Sequence, residues 1–135
     1  MVKAIMHGCN GKMGQVITGL VRDDSGIEIV AGIDKYRGVE NTYPVFDTLE
    51  ACDVEADVVI DFSNAAAVDE LLAVCAERVL PVVLCTTGLS EEQLQNVQRI
   101  SEKTAVLRSA NMSLGVNLLM KLLKEAASVL APAGF

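Results

Sequence analysis

Three glycines with two residues between each are the first feature of this chain that could do chemistry. They are Gly8, Gly11 and Gly14 in "MHGCNGKMG" (residues 6–14), with Lys12 directly after the second. A glycine turn that opens a helix suits phosphate, because backbone amides point at the anion and the helix dipole favours negative charge there. Two devices share that outline. A P-loop needs four residues between its glycines, then Lys and Ser or Thr. Here two residues separate Gly8 from Gly11, and Met13 follows Lys12, so no hydroxyl is placed to hold Mg²⁺. The dinucleotide fingerprint fits better. Its spacing here is G-x-x-G-x-x-G, one residue longer in the turn than G-x-G-x-x-G, and Cys9 stands where the shorter motif has its first glycine. Gly11 lets the backbone approach the phosphates, and Gly14 lets the helix lie close to a sheet.

The fingerprint also asks for a carboxylate about 20 residues on, at the end of the second strand, to bind the adenosine ribose hydroxyls. Asp34 lies there, closing "IEIVAGID", and Lys35 and Arg37 follow it. These bases could attract a 2′-phosphate, so both NADH and NADPH are compatible with the pattern. Further along, three segments carry small polar residues: "DFSN" (residues 61–64), "CTTG" (85–88) and "SANMS" (109–113). Each alone reads as a turn or a helix cap, with Ser63, Asn64, Asn111 and Ser113 as cap candidates. Together they suit one shared cleft, because ligands of doubly wound sheets bind beyond the carboxyl ends of the strands.

The elements that must position these residues follow from periodicity. Residues 2–7 read as a first strand and 12–23 as a helix with Met13, Val16, Ile17, Leu20 and Val21 on one stripe. Residues 27–34 read as a second strand, 35–44 as a loop, Val45 as the centre of a short strand, and 48–52 as a short helix. Strands at 57–62, 81–88 with its exit loop, and 105–110 alternate with helices at 65–77, 90–103 and 113–130. Ser90 and Gln93 form a capping-box pattern. The last helix is apolar on most sides and is expected to be well buried. Strands joined by helical crossovers run parallel, so the expected fold is α/β, a Rossmann-like doubly wound sheet with helices on both faces.

Composition agrees. Hydrophobic residues make up 51% of the 135 and aromatics 4%, which calls for an aliphatic core of the kind parallel sheets bury. A net charge of −7 argues against nucleic-acid and membrane-surface partners. Cys9, Cys52, Cys75 and Cys85 show no C-x-x-C spacing, so neither a metal site nor a disulfide framework is expected. Reduced thiols suit a cytoplasmic location. The N-terminus lacks a signal-peptide pattern, and charges interrupt residues 114–130 as a membrane span. His7, the single histidine, reads as a packed strand residue. "APAGF" at the end reads as a linker, so residues 1–135 are expected to be one dinucleotide-binding domain of a longer protein.

"GCNGKMG", "DFS", "CTTGLS" and "SANMSLGVNLL" together resemble the N-terminal domain of the 4-hydroxy-tetrahydrodipicolinate (dihydrodipicolinate) reductases of lysine and diaminopimelate biosynthesis. The resemblance covers essentially the whole chain. It implies that Gly8, Cys9, Asn10, Gly11, Lys12 and Met13 hold the pyrophosphate, that Asp34 takes the ribose, and that Lys35 lies near a 2′-phosphate. It implies that Cys85, Thr86 and Thr87 line the nicotinamide, with Thr87 also reaching the substrate. Ser109, Ala110, Asn111 and Met112 would close that pocket, and Phe62 and Ser63 would border it. The family commonly has Gly at Cys85 and often Phe at Met112. Its paired histidines, lysine and "PSGT"-like run are absent here, so no catalytic residue is expected in this chain. The resemblance further implies hydride transfer from NADH or NADPH to a small dicarboxylate imine, and a homotetramer formed through the other domain. This chain alone would then be a monomer able to bind cofactor. A stand-alone redox-sensing module and a methyltransferase are the rival readings.

Overall fold

The computed structural model describes residues 1–134. Six parallel strands form one sheet in the order β3-β2-β1-β4-β5-β6. The strands are β1 (Val2–His7), β2 (Ile27–Ile33), β3 (Val45–Phe46), β4 (Val58–Asp61), β5 (Val82–Leu84) and β6 (Val106–Arg108). The helices are α1 (Lys12–Arg22), α2 (Ala65–Arg78), α3 (Glu91–Ile100) and α4 (Leu114–Leu130), followed by a short 3-10 turn at Ala131–Ala133. Strand order reverses at β1, with β2 on one side and β4 on the other, which opens a crevice at the carboxyl ends of these strands.

The core is aliphatic, as the composition requires. Ile5, Ile33, Val59, Val68, Leu71, Leu72, Val82 and Leu84 are buried to within a few per cent. A smaller cluster under α1 joins Met6, Cys9 and Ile29. Helix starts are capped as the sequence suggests. Asn64 Oδ1 accepts from Ala66 N, and Ser90 and Gln93 complete both bonds of the capping box. Ser113 Oγ accepts from Val116 N at the start of α4.

Two local expectations fail. Residues 48–52 form turns rather than a helix, with Thr48 Oγ1 accepting from Ala51 N and Leu49 O from Cys52 N. Five residues are too few to offset the cost of helix nucleation. The larger miss is α4. None of its residues is buried, and Leu118, Leu119, Leu122 and Leu123 are each more than half exposed. Apolar pattern reports the wish for a partner, and no described element supplies one.

Candidate functional site

The site is built on the sheet's reversal point. β1 ends at His7, and the chain turns at Gly8 with φ +80°. Gly8 N donates to Ile33 O at 2.8 Å, which ties the turn to the end of β2. A Cβ at Gly8 would stand 2.6 Å from Phe62 O, and one at Gly14 would collide with Gly8 O and lie 2.7 Å from two backbone atoms of Cys9. Only glycine lets the loop sit this tightly on the sheet and lets α1 begin directly above it. Gly11 occupies the N-cap of α1 and no side chain caps that end, so the first amides of the helix have no side-chain acceptor. An uncapped helix start beside a glycine turn fits an anionic diphosphate.

Asp34 stands where this loop needs it. Its Oδ2 accepts from Asn10 N at 3.0 Å and its Oδ1 from Tyr36 N at 2.9 Å. Asn10 is buried, and its side chain donates to Tyr36 O while accepting from Asn41 Nδ2 at 2.8 Å. Gln15 Nε2 donates to Asn10 O at 2.9 Å. Asn10 therefore clasps the loop after β2 to the glycine turn. Arg37 is committed elsewhere. It bonds Asp47 Oδ1 at 2.5 Å and Val45 O at 2.6 Å, while Lys35 is exposed beside Asp34.

A cleft of about 370 Å³ opens at this edge, and it brings together Gly8, Gly11, Asp34, Lys35, Phe62 and Ser63 of the expected residues. Cys9 is buried beneath the loop, with Lys12 and Met13 exposed above it. The remaining expected residues lie beyond this cleft on the same sheet edge. Cys85 N donates to Asp61 O at 2.9 Å, Thr86 is buried, and Thr87 is exposed. Ser109 N donates to Leu84 O at 3.1 Å, and Ser109 Oγ to Asn111 O at 2.9 Å. Ala110 and Met112 are exposed in the turn that leads into α4.

Burial, reinforced by the Asp34 charge, pushes the Cys9 thiol up to about 11, and burial with the Asp61 charge does the same to Cys85. Both are inert thiols at neutral pH. Among the described residues no cluster of three metal-ligating side chains exists, and no helix is long and apolar enough to cross a membrane.

Two features escaped the sequence reading. His7 is no isolated strand residue, because its Nδ1 bonds Asp61 Oδ1 at 2.7 Å. The signal was available in the topology: β1 and β4 are neighbours, each residue closes its strand, and His7 pairs in register with Asp61. Asp61 is fully buried, and burial opposes its charge. Hydrogen bonding from His7, Ser63 and Thr86 and the His7 charge outweigh that opposition and hold the carboxyl below its ordinary value. The second feature is Gly32, where a Cβ would stand 2.6 Å from Cys9 Sγ and 2.8 Å from the Tyr43 ring. Its missing side chain seats the residue under the glycine loop.

A doubly wound sheet with a glycine turn under an uncapped helix, and an acid at the end of its second strand, defines a dinucleotide-binding domain. Comparison with known proteins narrows the class. The family model described as "Dihydrodipicolinate reductase, N-terminus" matches residues 2–112. The 4-hydroxy-tetrahydrodipicolinate reductase of Clostridium novyi is 48% identical over 130 residues, covering 96% of this chain and 52% of that protein. That of Caldanaerobacter subterraneus is 49% identical over 130 residues, covering 96% and 51%. Dipicolinate-bound dihydrodipicolinate reductase from Paenisporosarcina sp. TG-14 superposes with a TM-score of 0.84 at 28% identity, covering 96% of this chain and 54% of that one. This chain belongs to the dihydrodipicolinate reductase family, as its N-terminal, pyridine-nucleotide-binding domain. It spans about half the length of the curated relatives it matches.

Proposed function

We propose that this chain is the NAD(P)H-binding half of a 4-hydroxy-tetrahydrodipicolinate reductase, serving lysine and diaminopimelate biosynthesis. The observation that carries the reading is the hydrogen bond between Asp34 and the glycine loop, which draws the acid closing β2 and the glycine turn to one cleft. The backbone from Gly8 to Met13 holds the diphosphate, with Lys12 beside it. Asp34 accepts from the adenosine ribose, which favours NADH, while Lys35 beside it can take a 2′-phosphate, so either cofactor is accommodated. Cys85, Thr86 and Thr87 border the nicotinamide, Thr87 toward the substrate, and Ser109 to Met112 close the far wall. Bound NAD(P)H supplies the hydride for an α,β-unsaturated cyclic imine. Holding that donor still contributes several kcal/mol to lowering the barrier, by the general magnitude of positioning effects.

The proton donor and the clamp for the substrate's carboxylates belong to the other half of the family's length, together with its tetramer contacts. The exposed apolar surface of α4 suits packing against that half. Calorimetric titration of the 135-residue chain with NADH, NADPH and S-adenosylmethionine tests the reading. Binding of either pyridine nucleotide and not of S-adenosylmethionine is expected, with little or no reductase turnover. Preference for S-adenosylmethionine would overturn it, and substantial turnover would overturn the division of labour.

A further inference from the structure

The His7–Asp61 pair has no part in the assignments above. Asp61 is wholly enclosed, its Oδ1 is held by His7 Nδ1, and its Oδ2 has no hydrogen-bond partner among the described residues. A buried carboxylate in that setting needs compensation, and among the described residues His7 is the only side chain in an ion pair with it. With Nδ1 committed to Asp61, the ring's other nitrogen, Nε2, bonds none of the described residues, and the ring lines the cleft beside Gly8 and Gly11.

The charged groups around that cleft come from every element packed about the ring. They are Asp61 from β4, Asp34, Lys35 and Arg37 beyond β2, Asp47 beyond β3 in a salt bridge with Arg37, Glu70 from α2, and the exposed Lys12 that opens α1. Carboxylates outnumber bases on this wall, which by itself repels an anionic diphosphate. A proton on His7 offsets part of that field and converts Nε2 from an acceptor into a donor.

We propose that His7 is a dinucleotide-binding residue, its imidazolium Nε2–H donating to the phosphate–ribose backbone of the ligand, with Asp61 as the residue that holds the ring in position. The proposal rests on the NAD(P)H reading. Binding then takes up a proton, so affinity falls as pH rises.

NADH is the probe of choice, because its diphosphate does not titrate between pH 6 and 8.5, whereas the 2′-phosphate of NADPH does. The protein background is quiet as well. The chain has one histidine, the thiols of Cys9 and Cys85 lie near 11, and Met1 lines a groove at the other end of the sheet. Calorimetry of the 135-residue chain should show NADH binding about tenfold more weakly at pH 8.5 than at pH 6, with net proton uptake. In His7→Gln the profile should be flat. In Asp61→Asn the pH dependence should shrink while the ring remains. In ¹⁵N-histidine spectra, the single imidazole should shift at Nε2 on NADH addition. A wild-type chain that binds NADH with no pH dependence, or a His7→Gln chain that keeps it, overturns the proposal. If His7→Gln does not fold, an imidazole in the wild type whose Nε2 does not shift on NADH addition overturns it equally. A wild-type chain that binds no NADH at any pH removes the NAD(P)H reading itself.

Discussion

Asp34 Oδ2 and the backbone amide of Asn10 lie 3.0 Å apart, across 24 residues of sequence. One carboxylate thus braces the glycine turn, and in the proposed function it also accepts from a ribose. Asp34→Ala should weaken NADH by about 1–3 kcal/mol, because ribose hydroxyls lose their acceptor. NADPH should lose less if, as proposed, Lys35 takes its 2′-phosphate. Equal losses for the two cofactors in calorimetry would remove the ribose assignment.

Gly14→Ala tests the tightness of the turn. The added Cβ would meet Gly8 O and the Cys9 backbone, neither of which can yield cheaply. A cost of about 1–3 kcal/mol in urea unfolding is expected, with NADH affinity falling at the same time. Gly19→Ala is the control, because nothing lies within 4 Å of its Cβ position. That variant should be at least as stable as the parent.

Acid sensitivity follows from Asp61. Its folded carboxyl sits below its unfolded value, so its contribution to stability is complete above the unfolded value, about pH 4. It is lost as pH falls through the folded value. Asp61→Asn should lose about 3 kcal/mol at pH 7 and show a shallower decline in acid, read from urea midpoints at several pH values. A variant as stable as the parent at pH 7 would contradict this.

Val79 is the one non-glycine residue with positive φ among the described residues, at +52°, where it ends α2 and is 64% exposed. A β-branched side chain is strained there, so Val79→Gly should raise stability by about 0.5–1 kcal/mol despite the added chain entropy. Loss of stability would mean that its exposed methyls contribute more than the strain.

Core and α4 should respond in opposite ways. Leu71→Ala in the core should cost about 2–5 kcal/mol, whereas Leu123→Ala on α4 should change stability by less than about 0.5 kcal/mol. Thermal or urea unfolding of the two variants side by side checks the contrast.

The sequence carried most of the fold because its signals were local. The turn at Gly8–Gly14, the acid closing β2 and the box at Ser90–Gln93 each act over a few residues, and the helices and strands appear within a residue or four of their expected bounds. What escaped was relational. Arg37 looked available for a phosphate until Asp47, ten residues on, engaged it. His7 and Asp61 are 54 positions apart and become partners only once β1 lies beside β4. The apolar pattern of α4 predicted a helix correctly and burial wrongly, because a pattern names a face and not its cover.

The placement of β1 has a further consequence, for the order of assembly. β1 is an inner strand, made before both of its neighbours, and the second of them is not made until residues 58–61 appear. Pairing of that range is slow relative to local contacts. The glycine turn can form early, but its back wall at Phe62 and its charge partner at Asp61 arrive only with β4. A nascent chain therefore has no half-built pocket to occupy. Ligand capture begins when the centre of the sheet closes, and from then on each bound dinucleotide draws the folding equilibrium toward the native state.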